Sequence, residues 1–307
     1  MFFDTMGVEG DGSYVPAFFG AALAGLFLFY GFEACGDVAE EVENPARRIP
    51  KAMILTIVVG GVSALFSFGG YVLAAPDLQA IVSGEDADPI PAILESTLGP
   101  VGAKLFLVVA ITAFLSCVLS LQAAASRLLF SFARDGMIPG HRWLSKVSAT
   151  SKVPTNALIV ACTVPALIAV LVWLNADLLY PVTAFAVLGI YVAFQMVVLA
   201  SLRQRFRGWK PAGPFSLGRW GFVVNVAALV YGVFAMVLIA LPGSSGDVFT
   251  DWVVLIGLAV VLVTGLAYLL VARPDRKSDA PAGDAVEVAE RLRAHSGERA
   301  VDPTIAG

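Results

Sequence analysis

The chain has 307 residues, of which 58% are hydrophobic and only 14% charged, and its formal net charge is −4. A mean hydropathy of +0.81 excludes an ordinary soluble domain of this length. The mild charge names no partner, and no nucleic acid is expected.

The apolar residues fall in seven long runs: Pro16–Cys35, Ala52–Ala75, Val101–Phe132, Pro154–Leu174, Leu178–Leu202, Trp220–Leu241 and Trp252–Ala272. A hydrocarbon core of about 30 Å needs roughly 20 residues of helix, and each run supplies about that or more. In lipid every backbone polar group must be paired internally, so runs of this kind are helices. The fold class expected is an all-α integral membrane protein with seven transmembrane helices, residues 1–272, followed by a disordered tail, 273–307. The start, "MFFDTMGVEGDGSY", has no basic region and does not resemble a signal peptide.

The first run carries the main anomaly. "LFLFYGFEACGDVAEEVENPARRIP" begins apolar, reaches Gly31, and then places Glu33 in what is still a membrane segment. A carboxylate costs roughly 2.5 kcal/mol or more near the bilayer centre, so an intramembrane acid is a functional candidate. The alternative is that the span ends at Cys35 and Glu33 sits at the interface. If "EACGDVAEEVEN" continues the helix inward to Glu43, the element is broken near Tyr30–Phe32. A break frees backbone donors and carbonyls at membrane depth, beside Phe27, Phe29 and Tyr30.

After the second run, Pro76–Pro100 forms a loop of about 25 residues, with "DPIPAILESTLG" expected as a short helix starting near Asp88 and Pro89. The third span is expected to run on through "QAAASRLLFSFARDGMIP" until Gly136 and Pro139 end it. "RQRFRGWKPAGPFSLGRW" is a basic connection punctuated by Gly and Pro. In the tail, "DAVEVAERLRAHSG" could form a short amphipathic helix. The three cysteines all lie in apolar runs, and neither a disulfide framework nor metal spacing is visible. His141 and His295, the only histidines, lie outside the runs, and no phosphate-binding loop of the GxxxxGK kind occurs. No enzyme is expected.

Loop charge sets the expected orientation. Lys and Arg gather at Arg47–Lys51, Arg134–Lys152, Arg203–Arg219 and Arg273–Lys277, whereas Met1–Val15, Pro76–Pro100, Asn175–Asp177 and Pro242–Asp251 hold none. The positive-inside rule puts the basic set in the cytoplasm, the N-terminus outside and the C-terminus inside. A plasma-membrane location is expected.

Two motifs carry a resemblance. "GFEACGDVAEEVENPARRIP" contains Gly31, Phe32 and Glu33, then Glu40 and Glu41, then Asn44, Pro45, Arg47, Ile49 and Pro50. "SRLLFSFARDGMIP" contains Ser126, Arg127, Ala133, Arg134, Asp135, Gly136 and Pro139. With "SKVPTNAL" and "GPFSLGRWG" in order behind them, the chain resembles the amino acid–polyamine–organocation permeases. The resemblance implies a leucine-transporter-like fold built on two inverted five-helix repeats. Its seven spans then correspond to the sixth to twelfth helices, and the first repeat is missing, to be supplied by upstream sequence or a separate chain. It implies a secondary transporter of an amino acid or related amine, in the bilayer, with no cofactor. Phe27 would gate the substrate, and Phe29, Tyr30 and Gly31 would contact it. Glu33 would couple a proton. Ser116 and Ser120 lie where some relatives bind sodium, the alternative coupling ion. A seven-span receptor and a non-transporting remnant are the rival readings.

Charge asymmetry makes the topology testable. Single cysteines at Ser83 and Ser244 should react with an impermeant thiol reagent on intact cells, and those at Ser148 and Ser278 should not, in a background lacking Cys35, Cys117 and Cys162. Labelling at 148 without labelling at 244 would invert the orientation.

Overall fold

The computed structural model describes residues 18, 21, 22, 25–83, 88–150, 152–211, 213–241, 248–278, 286–292 and 294. Among these every regular element is helical. After helical residues 25–28 come α1 (Ala34–Asp37), a 3-10 turn (Ala39–Glu41), α2 (Pro45–Ala74), α3 (Leu78–Ser83), α4 (Pro89–Arg134) and α5 (His141–Leu144). Then follow α6 (Thr155–Leu174), a second 3-10 turn (Ala176–Leu178), α7 (Leu179–Phe206), α8 (Trp220–Ala240), α9 (Val248–Ala272) and α10 (Pro274–Lys277).

Among the described residues six helices are long and apolar enough to cross a membrane: α2, α4, α6, α7, α8 and α9. They match the second to seventh expected spans. Residues 16, 17, 19, 20, 23 and 24 of the first lie outside the described residues. The expected inward continuation to Glu43 is not one helix. It is a single α turn and a single 3-10 turn, because Val38 leaves helical geometry between them.

The surface helix before the third span is present. Gly99 has φ 69° and ψ 171° inside α4, so Pro89–Leu98 forms its own helix and Pro100 opens the long one. A glycine reaches that backbone without a Cβ penalty, and proline bars the preceding residue from helical geometry. At the other end, the Gly136 N–H donates to the Ala133 carbonyl and the Met137 N–H to the Phe132 carbonyl, with Gly136 at φ 73°. That is a Schellman closure, and it stops α4 where Gly136 was expected to.

By internal contacts the chain divides into two units, Met1–Ala34 with Ala52–Ala123, and Cys35–Lys51 with Ala124–Gly307. In the first unit, α2 contributes no buried residue, and Leu65 and Phe66 are about three-quarters exposed. Apolar exposure on that scale belongs in lipid. Four threonine hydroxyls on the spans are satisfied within their own helices: Thr56 donates to the Ala52 carbonyl, Thr112 to Val108, Thr183 to Leu179 and Thr264 to Val260. Bonds of this i to i−4 kind let a polar side chain enter hydrocarbon.

The second unit holds the tightest packing, α7 against α8, with α9 also on α7. Ala184, Val187, Leu188 and Tyr191 are buried from α7, and Gly232, Ala235 and Ile239 from α8. Small residues let the two backbones approach, as helix pairs in membranes require. Polar groups cross the same seam. Asn225 Nδ2 donates to Ser201 Oγ at 3.0 Å, and Gln195 Nε2 reaches the Ala228 carbonyl at 3.4 Å. The Gln195 amide occupies the space beside Gly232, where a Cβ would lie 1.6 Å from Nε2. In the tail, Ser278 Oγ donates to the Asp135 carbonyl at 2.7 Å, and residues 286–292 are helical with Arg291 paired to Glu287.

Gly232→Ala should therefore expel the Gln195 amide and cost about 1–3 kcal/mol, the range for overpacking. Gln195→Ala vacates that space, so the double variant should recover most of the loss. Thermal unfolding of the four proteins in detergent reads the coupling; additive losses would show that Gly232 does not serve the Gln195 side chain.

Candidate functional site

The break in the first unit follows from its residues. Helical bonding persists to Phe29, whose N–H donates to the Gly25 carbonyl at 3.1 Å. Gly31 then takes φ 96°, where L side chains are strained and open space surrounds the Cα. Its freed N–H donates to Glu33 Oε2 at 2.8 Å. The Ala34 N–H returns to the Gly31 carbonyl at 3.3 Å, and helix resumes. The carboxylate of Glu33 thus folds back to cap the amide that the break exposes. An unmet buried donor costs about 1–3 kcal/mol, so acid and glycine form one device.

Phe29 lies against α2. A Cβ on Gly61 would meet the Phe29 ring at 3.0 Å, so that glycine makes room for it. Phe27 and Tyr30 are half-buried. Ser116 and Ser120 lie on α4 and both are exposed; Ser120 Oγ donates to the Ser116 carbonyl at 2.9 Å. That is the helix-internal bond common to serine in a membrane helix.

A second cluster, in the second unit, was not anticipated from the sequence as a spatial group. Glu41 accepts from Arg127 through two atoms, Oε1 from Nε at 2.5 Å and Oε2 from Nη2 at 2.9 Å. Glu40 accepts from Arg134 in the same forked way, both distances 3.1 Å. Arg127 and Arg134 are seven positions apart on α4, two helical turns, and so share a face. Beside them opens a cavity of about 430 Å³ lined by Asp37, Glu40, Glu41, Ser126, Arg127 and Lys152 among others. Ser126 is only 3% exposed. The two motifs read separately in the sequence are thus each other's partners. The available signal was the pair of acids facing two arginines at helical spacing.

The rest of the first motif is backbone chemistry. Asn44 has φ 53°, a conformation asparagine tolerates better than most residues, and Pro45 opens α2 at a position needing no N–H.

Taken together, these features define a polytopic α-helical membrane protein with one broken helix and a charge-paired end. Comparison with known proteins gives the family. The amino acid permease family matches residues 3–273, and the chain belongs to it, within the amino acid–polyamine–organocation superfamily. An uncharacterised amino-acid permease of Schizosaccharomyces pombe is 29% identical over 71% of this chain and 39% of its own length. The choline transporter of Saccharomyces cerevisiae is 31% identical over 70% of this chain and 38% of its own. An amino-acid permease of Arabidopsis thaliana is 27% identical over 78% and 48%. The chain thus spans under half the length of these curated relatives. No solved structure gives a significant match. The family and these relatives are transporters, not enzymes, which leaves the receptor reading without support.

The forked pair carries a pH consequence. Glu41 lies outside the spans, and the hydrogen bond from Arg127 holds its carboxyl below the usual carboxylate range. A depressed folded value stabilises the protein above the ordinary carboxylate pKa, and that stabilisation is lost as pH falls through the depressed one. Glu41 is largely exposed, so the contribution is of the order of 0–1 kcal/mol. Arg127→Gln should lower the unfolding temperature at pH 7 and converge on the parent as pH falls through the depressed Glu41 value, below which Glu41 is protonated in both. An equal loss across that pH range would show that Arg127 acts by packing alone.

Proposed function

We propose that the chain forms part of a secondary active transporter for amino acids or related amines, with its substrate region at the Gly31 break. The observation that carries this reading is the interrupted helix itself, with Gly31 at φ 96° and its amide capped by Glu33. Interrupted helices at membrane depth present free carbonyls and half-helix ends, which suit an ammonium and a carboxylate. Family membership supports it, and so do the printed activities of relatives, which include amino-acid permeases, a choline transporter and a thiamine transporter of Schizosaccharomyces pombe. All of those solutes carry nitrogen.

On this reading the backbone of Phe29, Tyr30 and Gly31 meets the substrate amine, and Phe27 closes over it. Glu33 couples transport to a proton. Protonation weakens its hold on the Gly31 amide, so the cap can open and close with the transport cycle. Sodium at Ser116 and Ser120 is the alternative coupling site. The seven spans are the sixth to twelfth helices of a leucine-transporter-like fold in the plasma membrane, with the N-terminus outside and the C-terminus cytoplasmic. A first inverted repeat, in upstream sequence or a separate chain, completes the substrate site. The short coverage of the relatives supports that division.

Uptake into proteoliposomes across a pH series tests the reading. The 307-residue chain alone should show no saturable uptake, and the protein extended through the first repeat should. In the extended protein Glu33→Gln keeps an oxygen to accept from the Gly31 amide but cannot titrate. It should insert and bind substrate, yet lose uptake or its pH dependence. Glu41→Gln should change that dependence less. A parental rate and pH profile in Glu33→Gln, or dependence on sodium instead of pH, would remove the proton role.

A further inference from the structure

The connection between α7 and α8 is the most one-sided stretch of charge in the chain. Residues 203–219 contain Arg203, Arg205, Arg207, Lys210 and Arg219 and no acid. Elsewhere four arginines are paired internally: Arg48 with Glu43, Arg127 with Glu41, Arg134 with Glu40 and Arg291 with Glu287. Among the described residues none of the five bases of this connection has a salt bridge.

Geometry gathers part of this charge at one point. Gly208, at φ 85°, turns the chain at the end of α7, with the Trp209 N–H bonded to the Gln204 carbonyl and the Gly208 N–H to the Arg205 carbonyl. The Arg205 side chain then reaches the first turn of α8, where a Cβ on Gly221 would lie 2.6 Å from Nη2. Glycine at 221 is what admits the guanidinium. It stands 5.9 Å from the Trp209 ring, as Arg219 does from the Trp220 ring. Arg205 Nε is buried with no hydrogen-bond acceptor among the described residues. A charged donor without an acceptor is costly, and this one is left unmet where positive charge is densest.

The surroundings select the partner. Phe206 is 76% exposed and Trp220 60%, and Phe206 stacks edge-on with Phe222 at 5.9 Å. Both helices leave the bilayer here, so the bases lie at headgroup level and the rings at the upper acyl chains. A soluble anion has no use for the rings; a lipid uses both.

We propose that the α7–α8 end binds the phosphate group of an anionic phospholipid, with Arg205 and Arg219 at its centre and Arg207 and Lys210 adding attraction. The inference needs only that α7 and α8 cross the bilayer. It does not depend on sidedness, substrate or transport, so its failure leaves the transport reading intact and the reverse also holds.

The test is lipid titration of the whole chain in detergent, read by native mass spectrometry with phosphatidylglycerol, phosphatidylcholine and inorganic phosphate as probes. Each basic side chain removed should weaken phosphatidylglycerol binding about fivefold, so Arg205→Gln/Arg219→Gln should lose roughly 25-fold. Arg207→Gln/Lys210→Gln removes two exposed charges with little packing role and should show a loss in the same direction. A control, Arg142→Gln/Arg276→Gln, removes equal charge elsewhere and should stay within about twofold, because headgroup attraction falls off within a Debye length. Phosphatidylcholine should bind weakly to all. Unchanged phosphatidylglycerol binding in Arg207→Gln/Lys210→Gln, an equal loss in the control, or displacement by millimolar inorganic phosphate would each overturn the lipid site.

Discussion

One constraint orders this protein: inside hydrocarbon no backbone or side-chain polar group can turn to water. Its simplest consequence is the set of threonines bonded to carbonyls one turn back in α2, α4, α7 and α9. Its most informative consequence is at Gly31. Interrupting a helix exposes an amide, and the chain supplies Glu33 two residues later to receive it. The Gly31 carbonyl is in turn taken up by the Ala34 N–H, where helix resumes.

Charge follows the same logic at the ends of the spans. The acids of the first motif and the arginines of the second are forked pairs, Glu41 with Arg127 and Glu40 with Arg134. These bonds tie the turns after the break to the end of α4. Because the pairs are largely exposed, each contributes little stability, of the order of 0–1 kcal/mol. Geometry is their stronger effect, since two parallel bonds fix both position and orientation. The bases between α7 and α8 are the counterexample. They have no carboxylate partner among the described residues, and Arg205 and Arg219 lie instead 5.9 Å from the rings of Trp209 and Trp220.

Glycine and small residues set where helices meet. Gly232 gives the Gln195 amide its place, Gly221 admits Arg205, and Gly61 receives the Phe29 ring. Three glycines thus locate three longer side chains, and none of the three sits in a turn. Conformational need is a separate use, served by Gly31, Gly99 and Gly136, whose φ values are all positive.

The sequence by itself determined the membrane environment, six of the spans and their order, because twenty apolar residues in a row leave helix as the only solution in lipid. It also determined ends through local backbone preferences that need no partner: Gly136 was read as one, and the structure adds Gly99 with Pro100 and Asn44 with Pro45. The break at Gly31 was legible for the same reason, as was Glu33 as its acid, although the bond between them was not. The inward helix to Glu43 was misjudged, since helix-forming residues predict a helix but cannot show that Val38 departs from it. Only the tertiary structure decided that the two motifs are partners, that Gln195 lies in the notch of Gly232, and that Arg205 rests on Gly221. Those contacts join residues 86, 94, 37 and 16 positions apart. Composition and periodicity describe each helix alone, and which faces meet depends on how the helices pack.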